Sequence, residues 1–476
     1  MNTPIHDFLI KHASKKTISF HMPGHKGAAI YKRFGYDEFL ESFMDCDVTE
    51  IPGADNLFQA EGIIREAQAR YAALYGAKKS YLLVNGTSGG LIAAIAASVP
   101  KGKKLIMARN SHKSVFNALT LADIRPVYAY PEIIPGYGIS GPVPPEQIGE
   151  LLAAEPDAEA VILPSPNYYG VCSDVEKIAE ITHKHGKTLI IDEAHGAHLT
   201  FFNKYGIKSL PKSAGNSGAD IVVTSIHKTL ASLTQSAVLN INSGKVDSYL
   251  VEDKLQCIES TSPSYILMAS LDINASIIEE HGKRLFTEWA ENLDFFYENA
   301  REIENLSVIS GEGMDRTKLN FSLGHLGVSG GELEKELAER HGIIIELYAG
   351  NLVMCMTGIG NTRGHMVKLL HALDEIAAKN KNREGAEAGG TTHDAETPAV
   401  KRAELFEIPK NKKKVPLAEA AGLICAASII PYPPGIPLVC PGEKLDAEAV
   451  GQIIKLREDG EKVIGVDEQG RVLAGA

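Results

Sequence analysis

Residues 220–230 read DIVVTSIHKTL, an apolar run that leads into a lysine, Lys228. The run predicts a buried strand over 220–225. A lysine that leaves such a strand lies at the carboxyl edge of the sheet, where ligands bind in open α/β folds. Burial lowers the proton affinity of an amine and makes it usable for Schiff-base chemistry. By itself the pattern is weak, because most lysines that follow a strand are solvated loop residues.

The region around this stretch alternates short β-rich runs with helical stretches. The runs are almost continuously apolar, which is typical of strands buried on both faces. Helices are predicted between them, at 91–98 and 174–185. This alternation predicts an α/β domain with a mostly parallel sheet that helices cover on both sides. Strands are predicted at 80–84, 104–108, 160–163, 188–192, 220–225 and 236–240.

The rest of the chain divides by composition into smaller parts. Long helical patterns and strand candidates after residue 255 predict a second, α+β domain, and a Gly-, Ala- and charge-rich stretch without apolar period predicts a linker. Its helices are predicted at 265–289 and 331–341, and its strands near 319–323, 343–347 and 352–356. The predicted parts are an N-terminal segment over 1–60, the large domain over 61–255, the small domain over 256–378, the flexible linker over 379–402 and a C-terminal domain over 403–476.

A carboxylate follows another predicted strand, where LIIDEAHGAH (189–198) places Asp192 at the strand end. Parallel strands would bring Asp192 and Lys228 to one edge of the sheet. That combination suits pyridoxal 5′-phosphate (PLP), whose pyridine nitrogen needs a carboxylate to stay protonated while the ring withdraws electrons.

The same stretch has other interpretations. DEAH is also the text of a helicase Walker B motif, but the chain has no GxxxxGK[ST] loop to hold a nucleotide phosphate. His195 and His198 suggest a metal site, but HExxH and a third ligand at suitable spacing are absent, so we predict no metal. His198 is better interpreted as a packed histidine.

Two further turns at the predicted sheet edge suit a phosphate ester and an aromatic ring. In YLLVNGTSGGLIAAI (81–95), the free amides of a helix N-terminus lie with the hydroxyls of Thr87 and Ser88, next to Gly86, and form a candidate anion site. His112, in ARNSHKSVFNAL (108–119), is placed to lie flat over a pyridine ring. Each has a plainer interpretation: a βα turn with an N-cap serine for the first, and a capping or surface histidine for the second.

Composition excludes several protein classes. The chain of 476 residues carries a formal net charge of −12, which argues against a general nucleic-acid binder, because such proteins usually present a basic face. The six cysteines are scattered without a CxxC pair, as in a protein whose thiols stay reduced. No signal peptide is predicted, and no stretch of about 18 apolar residues predicts a membrane helix. We expect a cytoplasmic protein that acts on small molecules.

Nine segments together carry a resemblance to a known family. They are HMPGHK (21–26), DVTEIPGADNL (47–57), NGTSGG (85–90), RNSHKS (109–114), PNYYGV (166–171), DEAHGAH (192–198), SIHKTLASLTQ (225–235), TSPSY (261–265) and PYPPGIPLVCPGE (431–443). With them the chain resembles the Orn/Lys/Arg decarboxylases, PLP enzymes with the aspartate aminotransferase fold. The resemblance covers nearly the whole chain and corresponds to the short form, without an N-terminal wing domain. It implies a large PLP-binding domain followed by smaller α+β C-terminal domains.

The resemblance implies a role for each matching residue. Lys228 would carry the cofactor, Asp192 would hold the pyridine nitrogen, and His227 would lie near the phosphate and the reacting carbon; these are the expected catalytic residues. Ser225 would contact the phosphate, and Ala194 would pack against the ring. The expected cofactor-binding residues are Gly86, Thr87, Ser88, His112, Asp192, Ala194, His195, Ser225, His227, Lys228, Thr261 and Ser262. Thr261 and Ser262 would reach the phosphate of a neighbouring subunit, which implies a homodimer with shared active sites.

The implied reaction converts arginine, lysine or ornithine to the corresponding amine and CO2, as in polyamine biosynthesis. An aminotransferase or another PLP lyase would use the same groups. A binding protein on an inactive PLP scaffold is a further alternative, although it would be expected to lack the lysine or the aspartate. The substrate's distal cation needs a carboxylate partner when it leaves water. We expect that partner among Glu50, Asp55 and Glu443, which lie in Gly- or Pro-bounded loops, although a solvated surface carboxylate is the plainer interpretation of any one.

Overall fold

The structure is a computed structural model that describes residues 3–383, 403–431, 435–458, 460 and 462–475. Within these ranges no helix has the length and apolar character needed to span a membrane. The helices are Pro4–Ser14 (α1), Ala29–Arg33 (α2), Asp37–Glu41 (α3), Ile63–Tyr75 (α4), Gly86–Ser98 (α5), Lys113–Ala122 (α6), Pro145–Ala154 (α7), Val175–Lys184 (α8), Leu199–Lys204 (α9), Ile226–Thr229 (α10), Ser248–Ile258 (α11), Tyr265–Ala300 (α12), Gly330–His341 (α13), Arg363–Asn380 (α14) and Ala447–Glu458 (α15).

The strands are Ile18–Ser19 (β1), Lys79–Leu83 (β2), Lys104–Ala108 (β3), Arg125–Ala129 (β4), Ile133–Ile134 (β5), Ile139–Ser140 (β6), Ala158–Pro164 (β7), Thr188–Asp192 (β8), Ile221–Thr224 (β9), Ala237–Ile241 (β10), Ser307–Ile309 (β11), Lys318–Ser322 (β12), Ile343–Ile344 (β13), Leu347–Ala349 (β14), Leu352–Met356 (β15), Lys413–Pro416 (β16), Ile424–Cys425 (β17), Ile430–Pro431 (β18), Val463–Ile464 (β19) and Arg471–Gly475 (β20).

Seven strands form the central sheet, in the order β2-β10-β9-β8-β7-β3-β4. The five strands from β9 to β4 pair in parallel, whereas β10 pairs antiparallel with both β9 and β2. The predicted α/β class and mostly parallel sheet are therefore confirmed. The antiparallel strand β10 returns the chain across the sheet directly after α10, which carries Lys228.

Both faces of this sheet are buried, and this explains the continuous apolar runs of the sequence. In β3, Leu105 and Met107 pack in one apolar cluster with residues of α5, α6 and α11. Ile106 and Ala108, which alternate with them, pack in a second cluster with residues of α7 and α8. The residues on each face of the strand are thus covered by apolar helix residues, as parallel sheets in α/β proteins require.

The sequence pattern did not predict the edge strand β4. Its first residues, Arg125 and Pro126, are exposed or only partly buried, so the strand lacks an apolar run. A proline near the start of an edge strand is tolerated because the ladder needs no donor there on the open side.

The region after α11 forms an α+β unit around the long helix α12. This helix spans 36 residues and continues past the predicted end at 289, because Leu293, Phe296 and Tyr297 extend its buried face. An antiparallel sheet with the order β11-β12-β15-β14 packs beside it. The single strand predicted over 343–347 is instead two short strands, β13 and β14, and β13 pairs in parallel with β1. This pairing holds the start of HMPGHK against the α+β unit.

The C-terminal region has a small core of its own. Strands β16, β20 and β17 form a three-stranded sheet, and α15 packs with it around one apolar cluster. The predicted linker was placed from 379, but α14 continues to Asn380. Residues 384–402 of that linker, like 432–434 of the PYPPGIPLVCPGE segment, lie outside the described residues.

Candidate active site

The predicted lysine and carboxylate meet at the carboxyl edge of the central sheet. Asp192 is the last residue of β8 and is in register with Val223 of β9, and α10, which carries Lys228, follows β9 directly. The amine of Lys228 lies 2.8 Å from the ring of His195 (Nζ–Nε2). His195 belongs to the loop after β8, so two adjacent parallel strands supply the contact, as the order of the motifs predicted.

The environment of Lys228 suits an amine nucleophile. Desolvation lowers the pKa of Lys228 to about 8, even though the carboxylates of Asp192 and Glu346 favour the charged form. At neutral pH this amine is therefore unprotonated far more often than an exposed lysine, which is the condition for Schiff-base chemistry.

Asp192 is a buried carboxylate whose charge is only partly compensated. It accepts a hydrogen bond from the backbone N–H of Ala194 at 3.1 Å. Burial raises the pKa of Asp192, and the Lys228 cation opposes this shift. A protonated ring nitrogen is a suitable partner for such a group, because it supplies both a donor and a positive charge.

The start of α5 has the features of a phosphate site. Gly86, its first residue, has a φ of +70°, a conformation that favours glycine. The hydroxyl of the next residue, Thr87, is buried and hydrogen-bonds that of Ser225, which directly follows β9, while Ser88 is exposed on the same turn. A helix N-terminus with free amides and two converging hydroxyls is suited to a phosphate ester.

Three histidines surround the amine, and burial keeps them neutral. Burial, assisted by the nearby Lys228 charge, lowers the pKa of His112 to about 3 and that of His195 well below its usual value. Burial also lowers the pKa of His227 to about 4. The Nδ1–H of His227 donates to the carbonyl of Ser236 at 2.8 Å. His112 accepts from the backbone N–H of Ser114 at 3.3 Å, so it also caps α6, the plainer role considered for it.

These residues fit PLP. The Nδ1 atom of His195 is buried and has no hydrogen-bond partner, which is rare for a buried polar atom and marks a place where a bound group belongs. The start of α5 would hold the phosphate, Asp192 the ring nitrogen and Lys228 the aldehyde carbon, with His112 and Ala194 beside the ring. In the described part of the chain, no three His, Cys, Asp or Glu side chains group as a metal site.

Similarity over the whole chain identifies the family. A model of the major domain of Orn/Lys/Arg decarboxylases matches residues 3–318, and a model of their C-terminal domain matches residues 391–464. The arginine decarboxylase of Bacillus subtilis is 33% identical over 476 residues, which span 98% of this chain and 96% of that protein. The chain belongs to the Orn/Lys/Arg decarboxylase family. PLP is the cofactor of this family.

Other relatives agree with this family and with the expected fold. Lysine decarboxylase LdcA of Pseudomonas aeruginosa is 25% identical over 96% of this chain and 75% of its own. The solved structure of lysine decarboxylase A from the same organism superposes with a TM-score of 0.75 at 22% identity, covering 99% of this chain and 80% of that chain. An alanine–glyoxylate aminotransferase from Nostoc sp. superposes with a TM-score of 0.57 at 14% identity, over 75% and 95%. The aspartate aminotransferase fold is thus confirmed.

Two of the carboxylates predicted to bind the substrate have other partners in this enzyme. Asp55 accepts backbone N–H bonds from Glu61, Gly62 and Ile64 at 3.0, 2.8 and 3.1 Å, so it caps the start of α4. Glu443 is buried and forms an ion pair of 2.9 Å with Arg109, and it also accepts from the backbone N–H of Cys440. These contacts give both carboxylates a structural role within the chain, and their predicted contact with the substrate stays a prediction.

Three other predicted residues lie at the surface. Glu50, Thr261 and Ser262 are exposed, and within the described residues none of them hydrogen-bonds to Lys228 or Asp192. Thr261 follows closely on Glu259, whose carboxylate accepts from the backbone N–H of Asn85 at 3.0 Å, next to the start of α5. The predicted phosphate contact across subunits therefore stays a prediction.

The sequence reasoning missed a second polar group beside Lys228. Glu346 is buried, accepts from the hydroxyl of Tyr168 at 2.7 Å, and accepts from the backbone N–H of Met22 at 2.9 Å. The Tyr168 ring in turn packs on His195, with centroids 4.6 Å apart.

Lys26 is a second buried amine in this part of the molecule. Its amine donates to the carbonyl of Met356 at 3.1 Å, and burial lowers the pKa of Lys26 to about 7. Two signals were available: PNYYGV and HMPGHK had no assigned role, and Glu346 is a lone charge in an apolar run.

Proposed function

We propose that the enzyme decarboxylates arginine, with PLP held on Lys228. The observation that carries the proposal is the meeting of Asp192, His195 and the desolvated Lys228 amine at one sheet edge. Support for arginine within the family comes from the higher sequence likeness to the Bacillus subtilis arginine decarboxylase than to the Pseudomonas aeruginosa lysine decarboxylase. Lysine and ornithine are the competing substrates.

The protein's part in this reaction is orientation and charge. Bound PLP supplies an electron sink for the α-carbon from which CO2 leaves. Asp192 would keep the ring nitrogen protonated, and the start of α5 with Thr87 and Ser225 would hold the phosphate. Because the charge of Asp192 is buried, it acts in a medium where its effect on the ring is strong.

A proton must return to the α-carbon after CO2 has left, and two residues are placed for this. The Lys228 amine is one donor, because its pKa is close to neutral pH. His227 can serve only as a relay. Burial keeps its ring neutral and its Nδ1–H is held by the Ser236 carbonyl, so Nε2 must accept a proton before it can donate one.

The charges around the amine favour decarboxylation over transamination. A transaminase usually binds the substrate carboxylate with an arginine. Among the described residues, the charged groups that act on the Lys228 amine are Asp192, Glu346 and Lys318, and none is an arginine. Arg109 is paired with Glu443, and Arg363 donates to Asn292 at 2.9 Å. If the substrate carboxylate likewise meets no arginine, it is poorly solvated, and this would favour its loss as CO2.

We further propose that the enzyme works as a homodimer in the cytoplasm and feeds polyamine biosynthesis. In this arrangement Thr261 and Ser262 complete the phosphate site of the partner subunit, and Glu50 contributes to the pocket for the distal cation. The exposure of all three residues supports the proposal. So does the apolar surface of α1, on which Phe8 and Ile10 are 65% and 60% exposed, since such a surface favours association.

The test is to incubate the purified enzyme with PLP and arginine, lysine or ornithine in turn. With arginine we expect release of CO2 and formation of the decarboxylated amine, identified by mass spectrometry. Lysine and ornithine should be turned over more slowly. The same reaction with Lys228→Ala is the control. Formation of a keto acid without CO2 would mean that the enzyme is an aminotransferase, and preferential turnover of lysine or ornithine would overturn the choice of arginine.

A further inference from the structure

A buried charged cluster connects the α+β unit to the candidate site. Asp315 and Lys318, at the turn that begins β12, form an ion pair of 2.7 Å (Oδ2–Nζ). The ring of His198 lies 3.0 Å from the same carboxylate oxygen (Nε2–Oδ2). All three side chains are fully buried. The reaction proposed above gives none of them a role.

This cluster contacts both segments that form the lysine site, the loop after β8 and the helix α10. The amine of Lys318 donates to the backbone carbonyl of His195, whose ring contacts Lys228. On the other side, Nδ1 of His198 lies 3.2 Å from the hydroxyl of Thr229, the residue after Lys228. The cluster therefore contacts the chain on each side of the Lys228–His195 contact.

The turn that carries the cluster is itself held in place. The backbone N–H of Asp315 donates to the carbonyl of Gly170 at 2.7 Å. A side chain at Gly170 would meet the carbonyl oxygen of Asp315 at 2.9 Å, so the two segments approach as closely as a glycine permits. The hydroxyl of Thr317 donates to the other oxygen of Asp315 at 2.7 Å. Both carboxylate oxygens thus have fixed partners.

We propose that Asp315 and Lys318 are positioning residues that act as one unit and hold His195 against the amine of Lys228. Lys318 holds the His195 backbone, and Asp315 holds both Lys318 and His198. The proposal rests on the assignment of Lys228 as the cofactor lysine. Neither charge can be removed alone without leaving the other buried and unpaired, which is strongly unfavourable, so the two residues must act together.

Lys318 also acts on Lys228 through its charge. A nearby cation disfavours a second cation, so Lys318 lowers the pKa of Lys228 in addition to the larger effect of burial. Loss of the Lys318 charge should therefore make the Lys228 amine more basic. The titratable groups around the amine that such a shift involves are Asp192, Glu346, Lys318, His112, His195 and His227.

The test measures the basicity of Lys228 in the full-length protein from which PLP has been removed. Acetic anhydride labels only the unprotonated amine, and mass spectrometry of the Lys228 peptide over a pH series gives a labelling midpoint. In Lys318→Met, which keeps side-chain length but not charge, we expect this midpoint to rise by roughly half a pH unit or more. After reloading with PLP we expect kcat to fall about tenfold or more, because the reacting groups are misplaced.

Two further variants make the test decisive. Lys318→Met with Asp315→Asn leaves no unpaired charge, so it replaces the single variant if that one does not fold, and the same rise is expected. Arg316→Met is the matched control, since Arg316 lies on the same turn but pairs with Asp294 at the surface, at 2.8 Å. Its midpoint should equal that of the unmodified enzyme.

The proposal is overturned if the Lys318 variants lower only the unfolding temperature and leave the labelling midpoint unchanged. This outcome is distinct from a failure of the proposed function. That failure would appear as an unmodified enzyme that releases no CO2, whereas the labelling midpoint does not depend on any reaction.

Discussion

The lysine side of the candidate site differs from its outer side in how its residues are held. On the lysine side, Lys228 contacts His195, and Asp192 is buried beside them with its own backbone donor. On the outer side, Glu50 and Thr261 are exposed to solvent. One chain therefore brings the proposed reacting groups together by itself, while the groups proposed to bind the substrate's cation and to complete the phosphate site face outward.

This difference has a physical origin. A buried charge must have its partners in the same fold, because an unpaired one is too unfavourable to keep. An exposed group is hydrated by water, so it stays stable until a second subunit or a substrate binds it. Changes on the lysine side should therefore alter the spectrum and kcat, and changes on the outer side should alter KM. Five substitutions test this division, and the first has the largest expected effect.

Lys228→Ala removes the only amine at the carboxyl edge for which we propose covalent attachment of the cofactor. We expect loss of the visible absorption of bound PLP and no detectable turnover, measured by absorption spectroscopy and CO2 release. Lys245→Ala, at an exposed position, is the control and should keep both. If borohydride reduction fixes the cofactor to a lysine other than Lys228, the assignment fails.

Asp192→Asn keeps the shape of the side chain but removes the charge that holds the ring nitrogen protonated. We expect kcat to fall by about a thousandfold, or roughly 4 kcal/mol of barrier, with PLP still bound. Steady-state kinetics beside the absorption spectrum measure both properties. Asp253→Asn changes an exposed aspartate and should have no effect. Turnover near normal in Asp192→Asn would show that the lysine side does not depend on this charge.

Glu259 lies between the two sides, and its ionisation should affect the pH dependence of the free energy of unfolding. It is buried next to the start of α5, where one oxygen accepts from the backbone N–H groups of Val84 and Asn85 and the other has no partner. Burial raises the pKa of Glu259 from 4.5 to about 7. Between these two values the folded protein keeps a proton that the unfolded chain has released, so stability must fall as pH rises.

Glu259→Gln should remove this pH dependence. The difference in the free energy of unfolding between the unmodified protein and this variant, both without PLP, should fall by a few kcal/mol at most between about pH 4.5 and 7, at up to about 1.4 kcal/mol per pH unit. Urea unfolding at pH 5, 6, 7 and 8 measures the slope, with the exposed Glu298→Gln as control. Equal slopes in the two variants would show that Glu259 does not titrate in this range.

The two sides also differ in how far the sequence alone could predict them. Lys228 and Asp192 follow apolar runs that fold as neighbouring parallel strands, so strand order was enough to bring them together. The ion pair of Glu443 could not be predicted because its partner, Arg109, comes from a distant part of the chain, and no local pattern marks a pair of that kind. Glu346 was missed for the same reason, since its donors Tyr168 and Met22 lie in two other segments.

Asp55 was difficult to assign for a different reason, because its hydrogen-bond partners are close to it in the sequence. It lies in the same loop as Glu50, so composition and spacing treat the two carboxylates alike. Only the fold separates them: the backbone N–H groups at the start of α4 surround Asp55, while Glu50 stays in solvent. A carboxylate that caps a helix across several residues is hard to distinguish from a binding residue before the turn geometry is known.

The smallest expected effects come from this pair, and they should separate binding from stability on the outer side. Glu50→Gln should raise KM for arginine by about tenfold, or roughly 1.4 kcal/mol, with kcat and PLP absorption unchanged, because it removes a charge proposed to face the substrate's cation. Asp55→Asn should lower the free energy of unfolding by about 1 kcal/mol through the weakened cap, with KM unchanged. Steady-state kinetics and urea unfolding of both variants measure the contrast. If Asp55→Asn raises KM and Glu50→Gln does not, Asp55 and not Glu50 binds the distal cation of the substrate.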